Sequence, residues 1–135
     1  MMISTRGRYA LRVMIDLAEH MEQGHIPMKE VAERQKISLK YLERILPTLT
    51  KAHFIEGVHG KGGGYKLIKE PSECRVGDIL RIVEGTLAPV ACLECNAEKC
   101  DQMETCRTRA MWEEFYKLTN DFFDKMTLED LMKKA

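Results

Sequence analysis

Tyr9, Ala10, Val13, Met14, Leu17, Ala18 and Met21 recur at spacings of one, three and four residues, the period of one buried helical face. Ser4 or Thr5 is available as N-cap, because a short side-chain oxygen can accept from the first unpaired amides, and Gly24 is expected near the helix end. Pro27 suits the opening turn of a short second helix with Val31 and Ala32 facing inward. Ser38 can cap a third, whose apolar positions are Leu39, Leu42, Ile45, Leu46 and Leu49. Three helices with a short turn between the last two make a helix-turn-helix. Pro47 interrupts the third pattern, removing one backbone bond and crowding the preceding turn, so a kink or early loosening is expected there.

Farther along, Phe54 to His59 and Tyr65 to Ile68 read as short strands flanking Gly60-Lys61-Gly62-Gly63-Gly64, a tight loop that would form a wing. Val76, Ile79, Leu80 and Val83 return to helical spacing, and Gly85 ends that helix. From Thr86 to Thr105 apolar periodicity fades, which predicts a loop. A long helix follows, with Met111, Phe115, Leu118 and Phe122 at spacings of four, three and four, and with Trp112, Tyr116 and Phe123 widening the stripe. An apolar face that wide exceeds what one small domain covers and points to a symmetry-related copy, with packing inside its own subunit as the alternative. Thr127 followed by Asp130 looks like the cap of a last short helix.

These elements predict a mainly α fold with a small β-wing: a winged helix-turn-helix plus a long C-terminal dimerisation helix. The expected division is a DNA-binding winged helix over 1–84, a cysteine-rich loop over 85–107, and the dimerisation helix with its short successor over 108–135.

With 135 residues, 44% of them hydrophobic, the chain can bury one real core but hardly two unrelated ones. No apolar run is long enough to span a membrane, and Arg6, Arg8, Arg12 and Asp16 fall where a signal peptide needs its apolar stretch. A soluble, cytoplasmic protein is expected. The zero net charge conceals an asymmetry: residues 1–66 hold 11 Lys and Arg against 7 Asp and Glu, whereas 67–135 hold 10 against 14. A basic N-terminal half suits a polyanion, although four charges can equally be a solvated face.

In a helix-turn-helix the second helix enters the major groove, so the residues between its apolar positions matter most: Lys40, Tyr41, Glu43, Arg44, Thr48 and Lys51. Arg44 can pair with guanine through two hydrogen bonds, and Glu43 can accept from a cytosine amino group or exclude wrong bases. Ser38, Lys40 and Tyr41 can hold phosphates. The glycine run matches neither a Walker loop nor a dinucleotide fingerprint. With His59 and Lys61 it fits a wing pressed on the DNA backbone or minor groove.

Cys92, Cys95, Cys100 and Cys106 lie within 15 residues. Thiolates so closely spaced on a loop can surround one iron-sulfur cluster. A four-cysteine zinc site is the rival, although it usually shows two close pairs and only Cys92 and Cys95 make one; a thiol redox switch is the other. Cys74, isolated before a helix, reads as a small packing residue.

Ser4-Thr5-Arg6-Gly7-Arg8-Tyr9-Ala10, Ser38-Leu39-Lys40-Tyr41-Leu42-Glu43, Gly60-Lys61-Gly62-Gly63-Gly64-Tyr65 and the cysteine-rich loop before Trp112 occur in this order. The chain thereby resembles the Rrf-two (Rrf2) family of winged-helix regulators, the IscR, NsrR and CymR relatives, nearly from end to end. The resemblance implies a homodimer crossed through its long C-terminal helices, bound to near-palindromic operators and switching with the state of a two-iron two-sulfur cluster. By motif position Cys100 and Cys106 match the second and third family cysteines. Cys92, seven residues before Cys100, is preferred as the first over Cys95, which gives four. IscR-like members carry a histidine three residues after the third cysteine; here that position is Arg109, which cannot ligate a metal while protonated. Cys95 or a group outside the loop is then the candidate for the missing ligand. In the wing, His59 stands where Arg is usual and Lys61 where Pro is common, which softens the expected contacts.

The resulting expectation is a sequence-specific regulator of transcription, in the repressor sense, that binds double-stranded DNA as a homodimer and senses iron-sulfur or redox status. Its candidate DNA contacts are Arg6, Ser38, Lys40, Tyr41, Glu43, Arg44, His59 and Lys61; its candidate ligands are Cys92, Cys100, Cys106 and Cys95. A zinc- or thiol-based regulator is one alternative. A small iron-sulfur electron carrier is another, but it would have no use for a recognition helix. No nucleophile has a base and an orienting partner in chain order, so no catalysis is expected.

Overall fold

Ser4 caps the first helix, its hydroxyl accepting from the Gly7 amide at 3.2 Å, and in the computed structural model, which describes residues 3–95 and 97–132, six helices and one hairpin follow. They are α1 (Thr5–Glu19), α2 (Met28–Gln35), α3 (Leu39–Lys51), β1 (Ile55–Val58), β2 (Gly64–Leu67), α4 (Val76–Glu84), α5 (Arg109–Asp124) and α6 (Leu128–Leu131), with single 3-10 turns at Met21–Gln23, Pro71–Glu73 and Ala91–Leu93. This is the expected mainly helical fold with a small wing.

α1 stops at Glu19, five residues before Gly24. Met21 belongs instead to the following 3-10 turn but still packs against the core, which explains why its spacing read as helical. Pro27 does not open α2 from its first turn; its extended backbone serves as the N-cap, and Met28 and Val31 turn inward. Lys36, in the left-handed conformation at φ 58°, ends α2 and starts the turn into α3. There Ser38 Oγ accepts from the Tyr41 amide at 3.1 Å.

α3 runs on past Pro47 to Lys51. Pro47 is exposed, and the carbonyl its missing N–H would have bonded belongs to Glu43, one turn earlier on the same exposed face, where water can satisfy it. Leu42, Ile45, Leu46 and Leu49 enter the core; Leu39, expected among them, stays exposed.

β1 and β2 pair antiparallel, from Ile55 opposite Leu67 to Val58 opposite Gly64. Ile26 adds one bridge to this hairpin, exchanging both backbone hydrogen bonds with Tyr65 at 2.9 Å. Gly64 makes the join possible, because a Cβ there would run into the Ile26 backbone. The wing is therefore fixed to the segment that enters α2.

Ala10, Val13, Met14 and Leu17 of α1 lie at the centre of the main core, with Val31, Leu42, Ile45, Leu49, Ile55 and Leu67 around them. The chain returns to this core at its far end. Val76 N–H donates to the Met126 carbonyl at 2.8 Å and Leu128 N–H to the Cys74 carbonyl at 2.9 Å, and Leu128 is fully buried with Cys74 among the winged-helix residues. Thr127 and Asp130 cap α6 reciprocally: the Thr127 hydroxyl accepts from the Asp130 amide, and the Asp130 carboxylate accepts from the Thr127 amide. Among the described residues no helix is long and apolar enough to cross a membrane.

Candidate nucleic-acid interface and metal centre

Burial of Leu42, Ile45, Leu46 and Leu49 turns Lys40, Glu43, Arg44, Pro47 and Lys51 out along one exposed stripe of α3. Tyr41 is half-buried: its ring meets that of Tyr9 edge-on at 5.3 Å between centroids, so it is part of the core boundary as well as of the surface. It borders two adjoining clefts. One, of about 220 Å³, is lined by Ser38, Lys40, Tyr41 and Arg44; the other, of about 490 Å³, by Ser4, Thr5, Arg6, Tyr41, Val83 and Glu84. Five of the eight candidate contacts, Arg6, Ser38, Lys40, Tyr41 and Arg44, thus border one continuous surface made by the starts of α1 and α3. Glu43 lies on the exposed stripe beside it. His59 and Lys61 are exposed on the wing loop, away from both clefts, where Gly63 N–H donates to the Gly60 carbonyl at 2.9 Å.

Glu84 was not anticipated from the sequence. Its carboxylate accepts from the Ser4 amide at 3.0 Å and the Ser4 hydroxyl at 2.6 Å, a charge-assisted pair at the positive end of α1. Gly7 leaves the space this carboxylate occupies. The acid joins α4 to α1 across 80 residues of sequence, a pairing that no local pattern reveals.

The one buried charged side chain among the described residues is Asp16, at 1% exposure. Arg34 donates to its two oxygens at 2.7 and 3.0 Å, and Gln35 Nε2 donates at 2.9 Å. Burial alone pushes the Asp16 carboxyl up, but the hydrogen bonds from Arg34 and Gln35, with the charges of Arg34 and His20, outweigh it and hold the group below the usual carboxylate range. α1 and α2 are locked together by this pair.

The cysteines divide by environment. Cys74 is buried, and burial pushes its thiol up, as suits a packing residue. Cys92 is half-buried in the Ala91–Leu93 turn, and Cys95, Cys100 and Cys106 are exposed. Cys106 sits just before α5, where hydrogen bonds first from the Thr108 hydroxyl and then from backbone amides pull its thiol below the usual range. Between residues 86 and 108 Leu87 is the only buried side chain among those described. Among the described residues no three His, Cys, Asp or Glu side chains converge closely enough to hold a metal ion. The donor set is nevertheless the right chemistry for a soft metal centre, and the loop carries little packing that would resist gathering its thiols. Arg109 is engaged elsewhere, donating to Glu113 at 2.8 Å in the first turn of α5.

α5 has two apolar faces where the sequence suggested one broad stripe. Tyr116 and Phe123 pack inward on the small cluster of Val76, Leu80 and Leu87. Met111, Phe115, Leu118 and Phe122 point away from the subunit and are 42 to 62% exposed. A groove of about 500 Å³ lined by Leu118, Asp121, Phe122, Lys125, Met126 and Asp130 runs along that outer face.

Residues 3–134 match the family model Rrf2, described as an iron-dependent transcriptional regulator. The chain belongs to the Rrf2 family. It is 38% identical over its full length, and over 89% of the relative's, to protein rrf2 of Nitratidesulfovibrio vulgaris. The structure of CymR (YrzC), the global cysteine regulator of B. subtilis, aligns at a TM-score of 0.82 and 34% identity, covering 97% of this chain and 95% of that one. T. potens IscR aligns at 0.76 and 34% identity, covering 97% and 85%. This Rrf2 protein is accordingly a DNA-binding transcription regulator with a winged-helix fold and not an enzyme.

Proposed function

We propose that this Rrf2 regulator acts in the cytoplasm as a homodimer, binds a near-palindromic double-stranded operator, represses transcription from it, and responds to the state of a two-iron two-sulfur cluster held by Cys92, Cys100 and Cys106, with Cys95 as the candidate fourth ligand. The observation that carries the reading is the placement of exposed thiols directly before a helix whose outer face is apolar and unpaired within the subunit. In this reading residues 1–84 bind DNA, 85–107 hold the cluster and 108–135 pair the subunits. That is a division by role, since Leu128 of the last segment shares the winged-helix core.

On DNA, the exposed stripe of α3 presents Arg44 and Glu43 to base edges, while Arg6, Ser38, Lys40, Tyr41, His59 and Lys61 contact the backbone and fix the register. A bound cluster supplies a redox- and supply-sensitive link between the thiolates of the loop. Gathering those thiolates orders the segment that leads into α5, and because α5 also packs on α4, order in the loop bears on how the two recognition helices of a dimer are spaced. The coupling expected is modest, about 1–3 kcal/mol, the difference in loop ordering between two dimer arrangements.

Anaerobic purification tests the reading, with an absorption spectrum, iron, sulfide and zinc assays, and DNA binding measured before and after cluster removal. Visible absorption with stoichiometric iron and sulfide, lost in Cys100→Ser or Cys106→Ser, is the expected result. Colourless protein with stoichiometric zinc, or with neither metal, overturns the cluster assignment and leaves DNA binding intact.

A further inference from the structure

Arg12 is the third arginine-or-lysine position of a basic half-chain, and on charge alone it would pass for another phosphate contact. Its surroundings say otherwise. Arg6 and Arg8 are exposed, whereas Arg12 is half-buried, and its guanidinium is already engaged: Nε donates to Gln35 Oε1 at 3.3 Å and one amino group donates to the Gln35 carbonyl. Gln35 is the last residue of α2, so its carbonyl is one of those the helix leaves without an internal partner. A cation there also suits the negative end of the helix.

The Gln35 amide is itself held in one orientation. Its Nε2 donates to buried Asp16 at 2.9 Å, which leaves Oε1 facing Arg12. From the other side, the Arg12 guanidinium lies 5.3 Å from the centroid of the Tyr9 ring, close enough for a cation–π contact, and Tyr9 meets Tyr41 edge-on at 5.3 Å. A continuous line of contacts therefore runs from the Asp16 carboxylate through Gln35, Arg12 and Tyr9 to Tyr41, in the first turn of α3. It touches both ends of the Lys36–Ser38 turn, the joint that sets the angle between the two helices of the motif.

We infer that Arg12 and Tyr9 are positioning residues for DNA reading, holding the turn between α2 and α3 so that the exposed stripe of α3 meets base edges at the right depth. The inference rests on α3 being the base-reading helix. Lysine cannot replace Arg12 in this role, because its single ammonium cannot reach the amide oxygen and the carbonyl as a planar fork does. As a plain phosphate contact, by contrast, lysine would serve.

The test uses a duplex selected by the wild-type protein from a random pool, against a shuffled duplex of the same composition, over a range of salt, with thermal melting of every variant. Arg12→Lys is expected to lower the preference for the selected duplex about tenfold, the size of one misread base pair, with shuffled-duplex affinity, salt slope and cooperative melting retained. Tyr9→Leu, which keeps the Arg12 fork and cuts the ring contact, is expected to lower the same preference and guards against a folding defect in the first variant. Wild-type preference in both variants overturns the inference. So does an equal loss on both duplexes in Arg12→Met with a salt slope shallower by about 0.9, the mark of one lost phosphate contact. Arg44→Ala separates the two readings: if it leaves the preference intact, α3 is not the reader and the inference falls with it, whereas loss in Arg44→Ala but not in Arg12→Lys or Tyr9→Leu rejects the positioning role alone.

Discussion

Arg81 on α4 donates to Asp124 Oδ2 on α5 at 2.9 Å and, from the same amino group, to Asn120 Oδ1 at 2.9 Å. Gly77 leaves room for the Asp124 carboxylate, which a Cβ at that position would strike, and the Arg81 hydrogen bond is the main reason Asp124 is held below the usual carboxylate range. With the packing of Tyr116 and Phe123 on Val76, Leu80 and Leu87 and the Val76 N–H bond to the Met126 carbonyl, this pair ties α5 to the winged helix. Arg81→Ala is expected to cost about 1–3 kcal/mol, because it strands a partly buried carboxylate. A midpoint of urea unfolding unchanged from wild type would show that the pair holds nothing.

Leu118 and Phe122 are 62% and 59% exposed on the outer face of α5, an apolar surface that a second copy would cover. Phe122→Glu or Leu118→Glu is expected to give monomers in sedimentation, with folded helical content and weakened operator binding. Dimers of undiminished stability in both variants would place the subunit interface elsewhere.

Base reading and backbone contact should fail differently. Arg44→Ala on α3 is expected to weaken a selected operator by about 1–3 kcal/mol and relax its sequence choice, whereas Lys61→Ala on the wing should weaken all sequences alike and flatten the salt dependence by about 0.9. Glu43→Ala broadens the accepted sites if the carboxylate acts by exclusion. Identical losses on specific and random DNA for all three would refute the separation.

Asp16 has a folded-state pKa below its unfolded value. Its paired carboxylate therefore contributes stability that is present above the unfolded value, about 3.9, and is lost as pH falls through the folded one. The groups facing it are Arg34, Gln35 and His20. Wild-type stability is expected to drop below about pH 4, and Asp16→Asn to be less stable at neutral pH by about 1–3 kcal/mol with a shallower acid limb. Parallel limbs for the two proteins, measured by denaturation across pH 2.5–7 in roughly half-unit steps, would remove Asp16 from the acid response.

Much of the winged helix was legible in order along the chain. The apolar periods of α1, α3 and α4, the Ser38 cap, the Thr127–Asp130 cap and the glycine-rich turn are local devices, set by residues within a few positions of one another. The candidate contacts on α3 were legible for the same reason: once Leu42, Ile45, Leu46 and Leu49 are assigned inward, the helical period alone turns Lys40, Glu43 and Arg44 out. Where local reasoning misjudged an element, tertiary packing had intervened. Met21 kept a helical spacing because the core draws it in from a 3-10 turn, and Pro47 passes without ending α3 on a face where both it and Glu43, one turn earlier, are exposed.

What the sequence could not assign was everything that joins distant segments. It showed that α5 is apolar over a broad arc, but only the fold divides that arc into an inner face on Val76, Leu80 and Leu87 and an outer face left uncovered. Periodicity likewise carried no sign that Glu84 holds the Ser4 cap of α1, that Leu128 closes the winged-helix core, or that Arg12 spans from Gln35 to Tyr9. The sequence determined which residues turn inward and which outward within each element, since backbone geometry repeats every few residues. The tertiary structure decided which inward faces meet and which polar groups pair across them, because a buried carboxylate or an orphaned carbonyl must find its partner wherever the folded chain supplies one.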